Sequence, residues 1–460
     1  MFFLTLNQQN ELKAQQFSLY HTGTLFDSFE NPSQRAFTAD SSRKYALNLF
    51  IPSGGVDCAM TGPVVNTLKT AVYNDVFSSK DLAVRDSRLS RITLSENIYL
   101  FMLKIFYSVN SHRELGFSWQ VKTEGEGSTT NPAIILFDKY SDILKYPEAK
   151  SNPNLFNTSA QAQSYHQFSF TYRKNSGKRL SYGVKLSYLS GIAHSKLRVD
   201  SGGLDEDLQG SYTARVKGDF RTSFLYDDIH KKALAPSFKN PGLALGFSLS
   251  YQAPRGWYMM ANLKDAGFIH WNRRSYSYDG NLYSLPVRYN SNEIWNDIKT
   301  RLTEQDYFTT TNSKIEFLIN KDLGYYQPHL LLSKELLHSG GNIALINRVQ
   351  YKSIQLSVSG AYNLRHFFQW GTQMLIKSPN TEFFIGTDQL LKSYATAHSL
   401  IRNQTSGTGG AGASAYIGFS VKIGRIMSRH ENENYIPGIN QKTSRSRGGL
   451  TQRIFGRKDY

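Results

Sequence analysis

His166-Gln167-Phe168-Ser169-Phe170-Thr171-Tyr172 is followed by Asn175-Ser176-Gly177-Lys178 and then by Leu180-Ser181-Tyr182-Gly183-Val184-Lys185-Leu186-Ser187-Tyr188. Apolar and polar residues alternate one by one in both runs. A half-buried strand gives this period of two, and two such runs around a glycine-bearing turn predict a β-hairpin. The pattern recurs outward along the chain. Leu243 to Gln252 alternates, turns at Ala253-Pro254-Arg255-Gly256, and returns as Trp257 to Lys264. Ile343 to Tyr351, Ile354 to Asn363, Phe368 to Ile376 and the pair Phe383/Ile385 follow with almost no spacer, as a meander of antiparallel neighbours. Further strands are predicted at Arg43–Ile51, Asn97–Tyr107, Gly116–Lys122, Tyr212–Phe224, Ser313–Asn320, His329–Lys334 and Ala415–Ile423. Two stretches, Asp138–Lys145 and Ser291–Arg301, carry helix formers without alternation and predict short helices in loops or an internal plug. Ser406–Ser414 is Gly-rich and predicts a flexible loop.

Alternation alone leaves two architectures open. A soluble sandwich turns its polar face to water, whereas a membrane barrel turns its apolar face to lipid. Two features favour the barrel. Apolar faces often begin or end in Tyr172, Tyr182, Tyr188, Tyr251, Trp257, Tyr351, Tyr362 or Trp370, as an interfacial aromatic girdle requires. A meander of this size would also leave long unpaired edges unless it closed. The expectation is an all-β chain: a closed antiparallel transmembrane β-barrel of about 14 strands, with short loop or plug helices.

Composition agrees. The 460 residues include 28 Tyr, 28 Phe and 5 Trp, which is too aromatic for a disordered chain. Only 19% are charged, and one Cys excludes a disulfide framework or a multi-Cys zinc site. No apolar run approaches the roughly 18 residues of a spanning helix. The net charge of +17 is unevenly placed. Residues 425–460 hold eight Lys and Arg against three Asp and Glu, a basic, flexible tail of +5. Elsewhere Lys and Arg are dispersed, with no nucleic-acid module. Residues 1–14 read as a signal-peptide remnant or an N-terminal extension, with an apolar run too short for a complete signal. The barrel is expected over residues 15–424.

Thr24-Leu25-Phe26-Asp27-Ser28-Phe29-Glu30-Asn31-Pro32-Ser33-Gln34-Arg35-Ala36-Phe37, with Asp40 to Ala46 after it, resembles the start of a family of uncharacterised outer-membrane barrels from Bacteroidetes-type bacteria, broadly of the FadL and PorP type. Gly116–Lys122, Tyr165–Tyr172 and Asp265–Trp271 are similar to its internal signatures. The resemblance runs from about Gln15 to Gly424. It implies a secreted precursor, an outer-membrane barrel and no catalytic residues.

One strand carries the clearest candidate site. Thr213, Arg215, Lys217, Asp219, Arg221 and Ser223 share a face between Tyr212 and Phe224. A midplane Arg or Lys in lipid costs about 2–4 kcal/mol, so three would cost roughly 6–12 kcal/mol, as much as a domain's stability. If the strand spans, Arg215, Lys217, Asp219 and Arg221 form a lumen-facing charged ladder, either a cationic wall for an anionic solute or a ladder neutralised by its neighbours. Asp265 and Gly267 interrupt their strand and predict a structural bulge.

Nothing points to a reaction. No G-x-S-x-G, H-E-x-x-H or Walker loop is present, and His338, His366 and His398 have no metal-ligand spacing. No cofactor or metal is expected. The expected partners are outer-membrane lipid, an anionic solute or hydrophobic ligand, and an envelope protein held by the tail. The function class is passive solute or hydrophobic-ligand passage, with a docking subunit of a secretion or gliding complex as the alternative.

Overall fold

The computed structural model describes residues 16–37, 43–67, 70, 78–107, 113–145, 152–177, 179–206, 212–224, 235–286, 299–337, 340–364, 367–402 and 411–426. The tail from residue 427 and most of the predicted Ser291–Arg301 helix lie outside the described residues. Nineteen hydrogen-bonded segments form one antiparallel sheet. Colinear segments that pair with the same neighbours reduce these to 14 strands. In chain order they are β1 (Arg43–Leu47 continued by Ser53–Thr61), β2 (Ser90–Phe106), β3 (Arg113–Thr129), β4 (Thr158–Ser176) and β5 (Leu180–Glu206). Next come β6 (Tyr212–Thr222 with Pro241–Gln252), β7 (Trp257–Trp271 with Tyr276–Pro286) and β8 (Thr303–Glu304, Tyr307–Thr310 and Lys314–Lys321). The last are β9 (Tyr326–Glu335), β10 (Gly341–Tyr351), β11 (Ile354–Asn363), β12 (Phe367–Lys377), β13 (Thr381–Thr387) and β14 (Ala411–Ile426). β14 pairs with both halves of β1, at Arg43↔Ile426 and Ser414↔Asp57, and this closes the barrel.

Several boundaries differ from the sequence pattern. The first strand breaks because Leu49 and Phe50 adopt two consecutive positive φ values (52° and 58°), outside the extended region of a regular strand. Ala411–Ser414 is strand rather than loop, since its backbone pairs with Asp57 to Met60. The helix begins at Asn131, seven residues before the predicted start, because Thr130 caps it and Pro132 sits in its first turn. A second helix, Leu390–Arg402, went unpredicted.

The pleat sorts the faces. On β9 and β10, Leu330, Leu332, Ile343 and Leu345 are exposed, while His329, Leu331, Ala344 and Ile346 are buried. On β3, Phe117 is 44% exposed and Ser118 and Gln120 are 0%. The exposed rows are apolar all round the wall, as a surface facing hydrocarbon must be. Five turns of two to four residues join strands at one end, at 177–179, 253–256, 322–325, 352–353 and 378–380. The long connections 62–89, 130–157 and 388–410 stand at the other. The wall is uneven: β5 has 27 residues, far beyond the roughly 9–11 of a tilted bilayer crossing, and β13 has 7.

Candidate functional site: a plugged lumen and an outer-wall cavity

Residues 16–37 enter the barrel and fill it. The segment holds a 3-10 turn, Phe17–Leu19, and α1, Leu25–Glu30. Thr24 caps α1 by accepting from the Asp27 amide at 3.1 Å, and Asp27 Oδ2 accepts from the Thr22 amide at 2.9 Å. The apolar side of this plug packs on inward wall residues. Phe17 and Tyr20 meet Leu318, Leu331 and Ile346, while Phe26 and Phe29 meet Tyr99, Phe106 and Phe384.

Wall cations hold its backbone. Arg348, fully buried on β10, donates to the carbonyls of His21 (2.9 Å), Ser18 (3.0 Å) and Tyr20 (2.7 Å). Lys377 on β12 donates to those of Thr22 (2.8 Å) and Gly23 (3.1 Å). Arg173 on β4 donates to Ser33 O at 2.8 Å, and Glu382 on β13 accepts from the Leu25 amide at 2.6 Å. Enclosure lowers the His21 imidazole to about 3, with the Arg348 and Lys377 charges adding to the effect. Burial raises Asp27, against the hydrogen bonds it accepts.

A second network lies beside it. Asp265 sits at a bulge on β7 with φ 47°, where the register with β6 skips between Leu245 and Phe247. Adjacent strand residues normally point to opposite faces. Here the bulge sends two neighbours into the lumen. Lys264 pairs with Glu30 of the plug and with Glu316, both at 3.2 Å. Asp265 pairs with Lys122 and Lys185 and accepts from Gln167 at 2.8 Å. Gly267 is required by space, because a Cβ there would stand 2.2 Å from the Leu243 carbonyl oxygen. Alternation predicts neither the plug contacts nor this pairing, since both join residues far apart in the chain.

The candidate ladder on β6 stands at the mouth with the long connections. Lys217 and Arg221 are exposed and Asp219 is half-buried. The side chain of Arg215 lies outside the described residues. Arg221 is in register with Lys196, and Asp219 with Arg198. Lys196 shares its face with His194, whose Nδ1 is 2.9 Å from the Tyr307 hydroxyl.

The opposite face of this region bears a mostly apolar cavity of about 560 Å³. β3 runs without a bulge, so Gly127 faces the same side as exposed Phe117. Gly127 is in register with Ile92 on β2 and Ala160 on β4, and Ala160 with Leu197 on β5. The helix Asn131–Leu144, here α2, covers this row with Ala133, Ile134 and Leu136. The loop helix expected as a possible plug therefore packs outside the wall, and the N-terminal segment fills the lumen. Between the cavity and the main belt, Glu96, Thr123 and Ser164 are register neighbours on the outer face. A carboxylate there marks the upper limit of the hydrocarbon zone.

The family model described as "Family of unknown function (DUF5723)" matches residues 36–388. The chain belongs to this family. The match spans β1 to β13 and leaves out most of the plug and β14. No curated protein matches the chain. Among solved structures, the toluene transporter TbuX of Ralstonia pickettii is similar at 8% identity and a TM-score of 0.42, over 86% of this chain and 93% of that one. The toluene transporter TodX of P. putida is similar at 8% identity and 0.41, over 86% and 93%. A FadL homologue of Pseudomonas aeruginosa is similar at 10% identity and 0.41, over 88% and 94%.

Proposed function

We propose that the chain is an outer-membrane barrel for passive passage of a small solute or hydrophobic ligand, through a lumen that its own residues 16–37 keep shut. The observation that carries the reading is the attachment of this plug. Cations from β4, β10 and β12 bind its backbone carbonyls, so a separable segment, not wall side chains, closes the lumen. A closed wall with apolar exposed rows and one set of short turns suits an outer membrane, with the short turns toward the periplasm. The ladder Arg215, Lys217, Asp219 and Arg221 would then bias the outer mouth toward anions. Replacing Arg215, Lys217 and Arg221 together by Gln should lower anion selectivity in planar bilayers.

Passage is tested by conductance. The intact chain should show little, deletion of residues 16–37 should open stable channels, and Arg348→Ala should raise the frequency of brief openings. A plug-deleted barrel that still shifts on heating in gels but conducts nothing refutes the reading and leaves a docking subunit of an envelope complex.

A further inference from the structure

We infer that the cavity between α2 and the outer wall is a binding site for a small, uncharged, apolar molecule. Its volume, about 560 Å³, falls within the roughly 300–1,000 Å³ of pockets that hold drug-sized ligands. The space exists because residues in the wall are small. Gly127 has ordinary strand geometry, and a Cβ there would stand 3.1 Å from Ile92 Cγ2 and 3.8 Å from the Ala160 Cβ. No positive φ and no backbone clash demands glycine at this point. A glycine inside a strand costs stability, so what it provides here is room.

The chemistry of the walls selects the ligand. Ile92, Leu197 and Phe220 line one side and Ile134, Leu136 and Phe156 the other. Glu126 and Lys196 alternate onto the opposite, luminal face, while Arg91, Arg198, Asp219 and Arg301 border the cavity. Apolar side chains make up most of the lining, so an uncharged, apolar molecule loses least on entering it. The site lies beyond the Glu96 row, so it is not simply part of the lipid-facing belt. It needs no open lumen, and binding here stands or falls apart from conductance.

The test uses the full chain in lipid nanodiscs, with Phe220→Trp as a reporter and N-phenyl-1-naphthylamine as an uncharged acceptor. Saturable energy transfer is expected, measured against the chain without the reporter. Gly127→Leu fills the space and should weaken half-saturation at least tenfold, while heat-modifiable gel mobility shows that the barrel still folds. The sulfonated analogue 1-anilinonaphthalene-8-sulfonate should not compete. Absence of saturable transfer, or transfer unchanged by Gly127→Leu, overturns the inference. So does strong quenching of the reporter by brominated acyl chains without added probe, because a membrane lipid then occupies the cavity.

Discussion

Arg348→Ala should loosen the plug without unfolding the barrel. The guanidinium is fully buried and serves three plug carbonyls at 2.7–3.0 Å. Charge-assisted hydrogen bonds contribute about 1.5–3 kcal/mol each, so three set a ceiling of about 4.5–9 kcal/mol. Truncation leaves a space that water can enter, and bridging water restores part of this, leaving a loss of roughly 2–4 kcal/mol. At 1.4 kcal/mol per factor of ten, opening of the plug becomes about 30- to 700-fold more frequent. The amides of Leu19, Tyr20, Ser28 and Asn31 report it, because each donates within the plug. Hydrogen exchange by mass spectrometry on peptides covering residues 16–37 should accelerate by that factor, while peptides from β3 to β5 stay protected. Arg348→Lys keeps the charge and loses the forked geometry, so it should fall between. Plug exchange within about threefold of the parent would refute the reasoning, since Arg348 would then not hold the segment.

Three further outcomes follow from the same structure. Asp265→Asn leaves Lys122 and Lys185 buried without their carboxylate, which should cost about 3–5 kcal/mol, read as a lower denaturation midpoint in the heat-shift gel assay. Leu345→Arg on the exposed face should cost about 2–4 kcal/mol in bilayers, against a small effect of Leu345→Phe. His21 has a folded pKa of about 3, below its ordinary 6.5, so the seated plug binds fewer protons than the free segment. Seating is therefore full above pH 6.5 and weakens as pH falls toward 3, by about 1–2 kcal/mol at pH 5. His21→Gln should flatten plug exchange between pH 7 and 5, where Asp27 acts in the opposite sense.

The alternating runs from His166 to Tyr188, and their repeats, were enough to predict antiparallel strands, closure and a count near 14. A period of two is a local property, and each strand shows it alone. The strands that spread beyond the pattern were harder. β5 continues to Glu206 through Gly191 and Ser201, where bulges shift the phase and erase the alternation. The helix Leu390–Arg402 also gave no usable signal, because its polar contacts are made with β14, as in Thr396 to the Gly412 carbonyl at 2.8 Å.

The site was less legible for a related reason. Thr24 to Phe37 carried a family resemblance but no periodicity that predicts a plug, yet nearly every side chain in it is buried in the lumen. The partners of the whole plug, residues 16–37, include Arg348, Lys377 and Glu382, more than 300 positions away. By itself the sequence determined that one face of each strand is apolar and must leave water, which fixes the wall. Only the tertiary structure decided what fills that wall and what covers it, because ion pairs, plug contacts and the α2 cavity join residues that closure brings together and no local periodicity encodes.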